Sequence, residues 1–241
     1  MLELAGIEAR WGDFRLSADL ALPAGARAAV IGPSGAGKST LLSVIAGFLA
    51  PETGRVLWQG RDLTPLPPGE RPVSVIFQDQ NLFPHLTVAQ NVGLGLHPGL
   101  RLTAADRDRV SAALHRVGLD GLGARRPADL SGGQQSRVAL ARMLLMGRPV
   151  VLLDEPFAAL GPALKDGMLD LVAELADETG ATLLMVTHDP DDARRVVTHA
   201  IFVDEGRVGA PVPVAAFFAD PPAAFARYAG RSAQAAAARP A

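Results

Sequence analysis

The run Gly32-Pro33-Ser34-Gly35-Ala36-Gly37-Lys38-Ser39-Thr40 sets a glycine, four residues and then Gly-Lys-Ser in one short stretch. That spacing suits a loop whose bare backbone N–H groups converge on phosphate oxygens, because glycines keep side chains out of the way. Where such a loop opens a helix, the positive end of the helix dipole adds to the attraction and no cage of side chains is required. Lys38 would then lie along the β- and γ-phosphates of a nucleotide, Ser39 would give its hydroxyl to magnesium, and Thr40 would reach the α-phosphate side. Composition singles out Lys38 as well. Of the 23 cationic residues only Lys38 and Lys165 are lysines, and a compact ammonium enters a tight phosphate cradle that a planar guanidinium would not fit.

Two further pieces carry chemistry. Val150-Val151-Leu152-Leu153 followed by Asp154-Glu155 places two carboxylates at the C-terminal edge of a buried strand, where open α/β sheets hold their ligands. Asp154 is suited to hold magnesium, through water, beside Ser39, and Glu155 to act as the general base that polarises the attacking water. Ser131-Gly132-Gly133-Gln134, ahead of an amphipathic pattern, reads as a second helix start able to hold an anion. ATP and Mg2+ are the ligands these pieces imply together, and hydrolysis the reaction.

The elements that must position these residues follow from pattern. Residues 27–31 form an apolar run suited to a buried parallel strand, and 39–49 carry an apolar helical face, so the phosphate loop joins strand to helix. Residues 1–26 alternate around turn signals at Trp11-Gly12-Asp13 and Pro23-Ala24-Gly25 and read as antiparallel strands. Strands are expected at 56–59 and 73–77, the latter followed directly by Gln78. Between about 87 and 147 the pattern turns helical, most clearly at 105–117 and 134–146. Strands return at 150–153 and 182–187 around a helix at 163–176, a right-handed crossover between parallel strands. Residues 200–204 and 207–208, around Glu205-Gly206, suggest a closing hairpin. The expected class is α/β: a P-loop NTPase with a mainly parallel sheet core, an N-terminal antiparallel β-subdomain and an inserted helical subdomain. Residues 1–230 are read as a single domain, and the Ala-rich stretch 231–241 as a disordered tail.

Composition narrows the classes. The 241 residues include no cysteine, so nothing argues for an oxidising compartment. Met1-Leu2-Glu3-Leu4 lacks the pattern of a signal peptide, and no apolar run reaches the ~18 residues of a membrane span, which makes any membrane role peripheral. A net charge of −2 gives no basic field for nucleic acid.

The stretch Leu130-Ser-Gly-Gly-Gln-Gln-Ser-Arg-Val-Ala-Leu-Ala-Arg142 resembles the signature motif of ATP-binding cassette (ABC) proteins, and the resemblance runs from Trp11 to about Gly230. It implies a head-to-tail homodimer in which Ser131, Gly132, Gly133 and Gln134 of one copy close over the γ-phosphate held by the other. It further implies that Trp11 stacks on adenine, with Phe14 as rival, that Gln78 touches magnesium and links the site to a transmembrane partner, and that His188 contacts the γ-phosphate. One position departs from the family. After Pro156-Phe157-Ala158-Ala159-Leu160 the family usually has an aspartate that reaches across the dimer, and this chain has Gly161, which is expected to loosen coupling between the two ATP sites.

Within the family the chain is most similar to ATPase subunits of bacterial thiamine importers, through Arg71-Pro72-Val73-Ser74, the segment 81–91 and Val92-Gly93-Leu94-Gly95-Leu96-His97-Pro98-Gly99-Leu100. Its Phe83-Pro84-His85-Leu86-Thr87-Val88 core is shared with iron, polyamine and sulfate importers, which remain alternatives, as does a soluble non-transport ABC ATPase. The resemblance implies a permease bound through the groove near Gln78–Leu100, an indirect link to a periplasmic substrate-binding protein, and a place on the cytoplasmic face of the inner membrane.

Overall fold

In the first strand the apolar positions change phase halfway: Leu2 and Leu4 are buried, then Ile7 and Ala9. Side chains in a strand switch face at every residue, so unbroken alternation would turn the second pair to solvent. A bulge at Gly6, with φ +55°, absorbs the odd residue, and the register against both neighbouring strands shifts there.

The structure is a computed structural model that describes residues 1–79, 81–158 and 160–225; the stretch 231–241 lies outside the described residues. In chain order the elements are β1 (Leu2–Trp11), β2 (Phe14–Leu22), β3 (Arg27–Ile31), α1 (Lys38–Ala46), β4 (Thr53–Trp58) and β5 (Arg61–Asp62). Next come β6 (Val73–Ile76), α2 (Val88–Gly93), α3 (Ala104–Arg116), α4 (Gly132–Met146), β7 (Val150–Asp154) and α5 (Pro162–Thr179). The chain ends with β8 (Thr182–Val186), α6 (Pro190–Val196), β9 (His199–Asp204), β10 (Arg207–Val208), β11 (Val212–Pro213) and α7 (Val214–Ala219). Two compact units result. Among the described residues, one holds 1–71 and 184–225, the other those within 72–183.

In the first unit the strands lie in the order β5-β4-β1-β2-β10-β9-β3, with β11 on β9. β1, β2, β4 and β5 pair antiparallel, as their alternation predicts. β3, buried from Ala28 to Ile31, runs parallel to β9, with Ile31 opposite Phe202. In the second unit β6 and β7 pair in parallel from Val73↔Val150 to Ile76↔Leu153. The helices α2, α3 and α4, which pack on one another, all fall between those two strands in the chain. The fold is therefore the α/β arrangement with a helical insertion that the sequence pattern predicts.

Helix ends differ from the periodicity by a few residues, and each difference has a cause. α1 stops at Ala46, short of 49, because Gly47 takes φ +88° and turns its N–H back to Ser43 and Val44. α4 starts at Gly132, two residues early, because Ser131 is its cap. α5 extends from Pro162 to Thr179 and ends at the left-handed Gly180. Thr87 with Gln90, Thr103 with Asp106 and Ser131 with Gln134 each form a capping box at the start of an inserted helix. Among the described residues no helix is long and apolar enough to cross a membrane.

The loop 83–87 entering α2 is fastened by one side chain. Asn91, wholly buried, accepts from the Phe83 N–H at 2.8 Å and donates to the carbonyls of Phe83, Leu86 and Thr87 at 3.1, 3.3 and 3.1 Å. Truncation would orphan several of these groups. Asn91→Ala is expected to lower the unfolding free energy by about 2–3 kcal/mol, read as a lower urea midpoint; an unchanged midpoint would show that the loop finds other partners.

Candidate functional site

In the first unit the phosphate loop begins where β3 leaves the sheet. A Cβ on Gly32 would stand 2.0 Å from the Val203 carbonyl oxygen on β9, so only glycine lets the strands stay paired to that point. The loop is then tied to the β9–β10 turn, where the Gly206 N–H donates to the Ala36 carbonyl at 3.0 Å. Gly37 is the N-cap of α1, with φ 107° and no side chain to satisfy the first-turn N–H groups. Phe14 packs directly against it, since a Cβ there would meet the ring at 2.7 Å. Ser34, Gly35 and Ser39 are exposed, whereas Lys38 is 8% exposed and its Nζ donates to the carbonyls of Gly32 and Pro33 at 2.9 and 2.8 Å. The result is a solvent-facing rim of backbone donors with an ammonium folded behind it, suited to a chain of phosphates.

The aromatic candidates separate cleanly. Trp11, at the end of β1, is 70% exposed and lines a hollow of about 230 Å³ with Ser39, Thr40, Ser43 and Phe48. A core aromatic would be covered, and Phe14 is committed to Gly37, so Trp11 is the ring free to stack on a base. His188 is exposed just past β8. The residue before it is held firmly: the Thr187 N–H donates to the Val30 carbonyl at 3.4 Å, and its Oγ1 donates to Asp192 at 3.0 Å. That places His188 beside the end of β3, where the phosphate loop starts.

The second unit carries the remaining candidates. Because Ile76 lies opposite Leu153 in parallel register, Gln78 and the pair Asp154-Glu155 leave at the same C-terminal edge of β6 and β7. Glu155 has φ +43°, a left-handed conformation that costs a non-glycine residue about 1 kcal/mol. The Glu155 carbonyl accepts from Ala158 at 3.3 Å, closing a tight turn that holds the carboxylate just past the strand.

Ser131 and Gln134 have a role that the sequence reading did not include. The Ser131 Oγ accepts from the Gln134 N–H at 3.3 Å and the Gln134 Oε1 accepts from the Ser131 N–H at 3.0 Å. Their side chains cap α4 itself, and the Ser-x-x-Gln spacing was the signal for that. Gly132 and Gly133 form the first helical turn. A Cβ on either would meet nothing closer than 3.6 Å, so nothing within the described chain requires a glycine there. Gly161 is the N-cap of α5, in an extended conformation with open space around its missing Cβ.

Sequence reasoning did not foresee the burial of Arg71. Its guanidinium is buried against the last turn of α1. Burial pushes its pKa down and Asp62 opposes that, and an arginine so placed stays charged.

The bend at Glu155 generates a test. Glu155→Gly, which relieves the left-handed conformation, is expected to exceed Glu155→Gln in unfolding free energy by about 0.5–1 kcal/mol. Equal urea midpoints for the two variants would mean that the turn stores no strain.

Comparison with known proteins follows the same lines. The family model described as ABC transporter matches residues 17–158. Thiamine import ATP-binding proteins of Cereibacter sphaeroides and a Ruegeria species are 66% and 56% identical over 230 residues, 95% of this chain and 100% of each relative. A dimeric ATP-binding cassette in a post-hydrolysis state bound to ADP and Pi superposes with a TM-score of 0.78 at 30% identity, over 89% of this chain and 99% of that one. A nucleotide-free cassette from an ABC transporter gives 0.81 at 26% identity, over 92% and 96%. The chain belongs to the ABC transporter family.

Proposed function

We propose that this chain is the ATP-hydrolysing subunit of a bacterial importer that takes up thiamine. The observation that carries the hydrolase reading is that one chain holds both an uncapped helix start behind Gly32–Thr40 and two carboxylates at a strand edge, one of them in a left-handed turn. The cargo reading is supported by the thiamine import ATP-binding proteins that match 95% of the chain at 56–66% identity.

In this mechanism the N–H groups of the loop and the Lys38 ammonium bind the β- and γ-phosphates, and Trp11 stacks on the adenine. Ser39, Asp154 and Gln78 offer a hydroxyl, a carboxylate and an amide oxygen, the hard ligands that suit Mg2+. The ion supplies charge neutralisation across the phosphates. Glu155 orients a water and accepts its proton as the water oxygen bonds to the γ-phosphorus and the bond to the β-γ bridging oxygen breaks, giving ADP and phosphate. His188 steadies the γ-phosphate. Ser131, Gly132 and Gly133 come from a second copy of the chain, and the bare backbone of the two glycines suits such a close approach.

The partner reading extends this. A hollow of about 480 Å³ lined by Ala89, Gln90, Leu102, Val110 and Leu114, in the insertion that follows Gln78, suits a short helix of a permease. Phe83, 47% exposed, stands on the loop before it. The subunit would sit on the cytoplasmic face of the inner membrane, fed indirectly by a periplasmic binding protein.

Two measurements test these readings. Glu155→Gln should form a stable dimer by light scattering in saturating Mg-ATP, and cells carrying it as their only copy should lose labelled thiamine uptake. A variant that stays monomeric would sink the sandwich, while undiminished uptake would return the cargo to the iron, polyamine or sulfate importers. Gly161→Asp, which meets no neighbour and can cap α5, should add a few tenths of a kcal/mol of stability and change the cooperativity of ATP hydrolysis. An unaltered rate and Hill coefficient would show that the missing carboxylate is irrelevant to coupling.

A further inference from the structure

Among the described residues, Lys38 and Arg71 are the charged side chains that are buried, and the chemistry above uses only Lys38. Arg71 is 2% exposed and spends four N–H groups on backbone carbonyls. Its Nη1 donates to Val44 and Ile45 at 2.8 and 2.9 Å, its Nη2 to Thr64 at 3.1 Å and its Nε to Leu66 at 3.0 Å. Val44 and Ile45 belong to the last turn of α1, where carbonyls lack the partner four residues on that the helix interior supplies; the Val44 carbonyl accepts from the Gly47 N–H at 3.2 Å as well. The opposite face of the fork grips the loop after β5. Gly47 makes room for it, since a Cβ there would lie 2.5 Å from the Arg71 Nε and 2.7 Å from its Cζ.

The geometry points to Arg71 as a positioning residue for nucleotide phosphates, acting through α1. By clamping the C-terminal end of that helix, the guanidinium fixes where the N-terminal end presents its N–H groups. Its charge also neutralises the negative pole of the helix, roughly 13 Å from the loop at 1.5 Å per residue, and inside protein that distance does not screen it as water would. A lysine keeps the charge but cannot span four carbonyls on two sides of a planar fork. The inference rests on Gly32–Thr40 being the phosphate site, so the test must separate the two ideas.

Binding of AMP, ADP and ATP, each with magnesium, to wild type, Arg71→Lys and Leu114→Ala makes that separation. Leu114 is buried in α3 and is none of the proposed nucleotide contacts, so its truncation controls for a general loss of stability. Arg71→Lys should weaken ATP about tenfold, ADP less and AMP within about twofold, a loss that grows with phosphate number. Leu114→Ala should lower the melting temperature without that gradient. Equal losses for all three nucleotides, or a profile matching the control, would overturn the positioning role. A wild type that binds all three alike would instead sink the phosphate-site reading. Should Arg71→Lys fail to fold, Gly47→Ala keeps the arginine and displaces its guanidinium; unaltered ATP affinity in a folded Gly47→Ala protein would likewise overturn the role.

Discussion

The phosphate loop depends on a place where backbone touches backbone. A methyl group on Gly32 would stand 2.0 Å from the Val203 carbonyl, and one on Gly206 would stand 1.9 Å from that of Arg15. Neither approach is open to any other residue without moving a strand. Because β3 and β9 stay paired up to Ile31 and Phe202, the loop leaves the sheet at a fixed point and direction. The Gly206 N–H then holds Ala36 from outside, and Arg71 holds the far end of α1 from within. Binding phosphates through N–H groups demands this rigidity, since a loose loop would have to be ordered by its ligand at a cost of about 1–2 kcal/mol per residue.

What could be read from the residues was whatever is local. The loop spacing, the apolar runs of β3 and β7 and the carboxylates that follow β7 are all patterns of a few neighbouring residues, and the structure places them as the patterns imply. The hold of Arg71 on α1 was invisible for the opposite reason. Its acceptors lie 5 to 27 residues away, and Arg71-Pro72-Val73-Ser74 could be read only as a family resemblance. At Ser131 one local pattern serves two purposes: a serine ahead of two glycines suggests an anion site, while the glutamine three residues on makes it a helix cap. Helix ends slipped where a glycine or a cap outside the apolar pattern decided the boundary.

The division of labour inside α4 sharpens the reading of its glycines. With Ser131 and Gln134 satisfying the helix start, stability alone would favour alanine at the next two positions, because glycine is the weaker helix former by up to about 1 kcal/mol each. Packing gives no counter-reason, as a Cβ on either would make only ordinary contacts with Leu160 and Leu164. Local preference and observed residue therefore disagree where a well-adapted sequence should have them agree.

The same disagreement recurs at the other proposed contacts. Glu155 occupies a left-handed turn that a glycine would fill more easily, and α1 begins at a glycine that leaves its first-turn N–H groups without a side-chain cap. A cap on α1 would use the very N–H groups that a phosphate needs, and an unstrained residue 155 would not carry a carboxylate. Each concession lies in a motif for which a chemical role is proposed, whereas the helices α2 and α3 carry full capping boxes; α5, which starts at Gly161, is a further helix without a side-chain cap. The open N–H groups at the start of α1, the carboxylate held in a left-handed turn and the two bare glycines of α4 are what a phosphate ligand and a second copy of the chain would complete under the proposed mechanism.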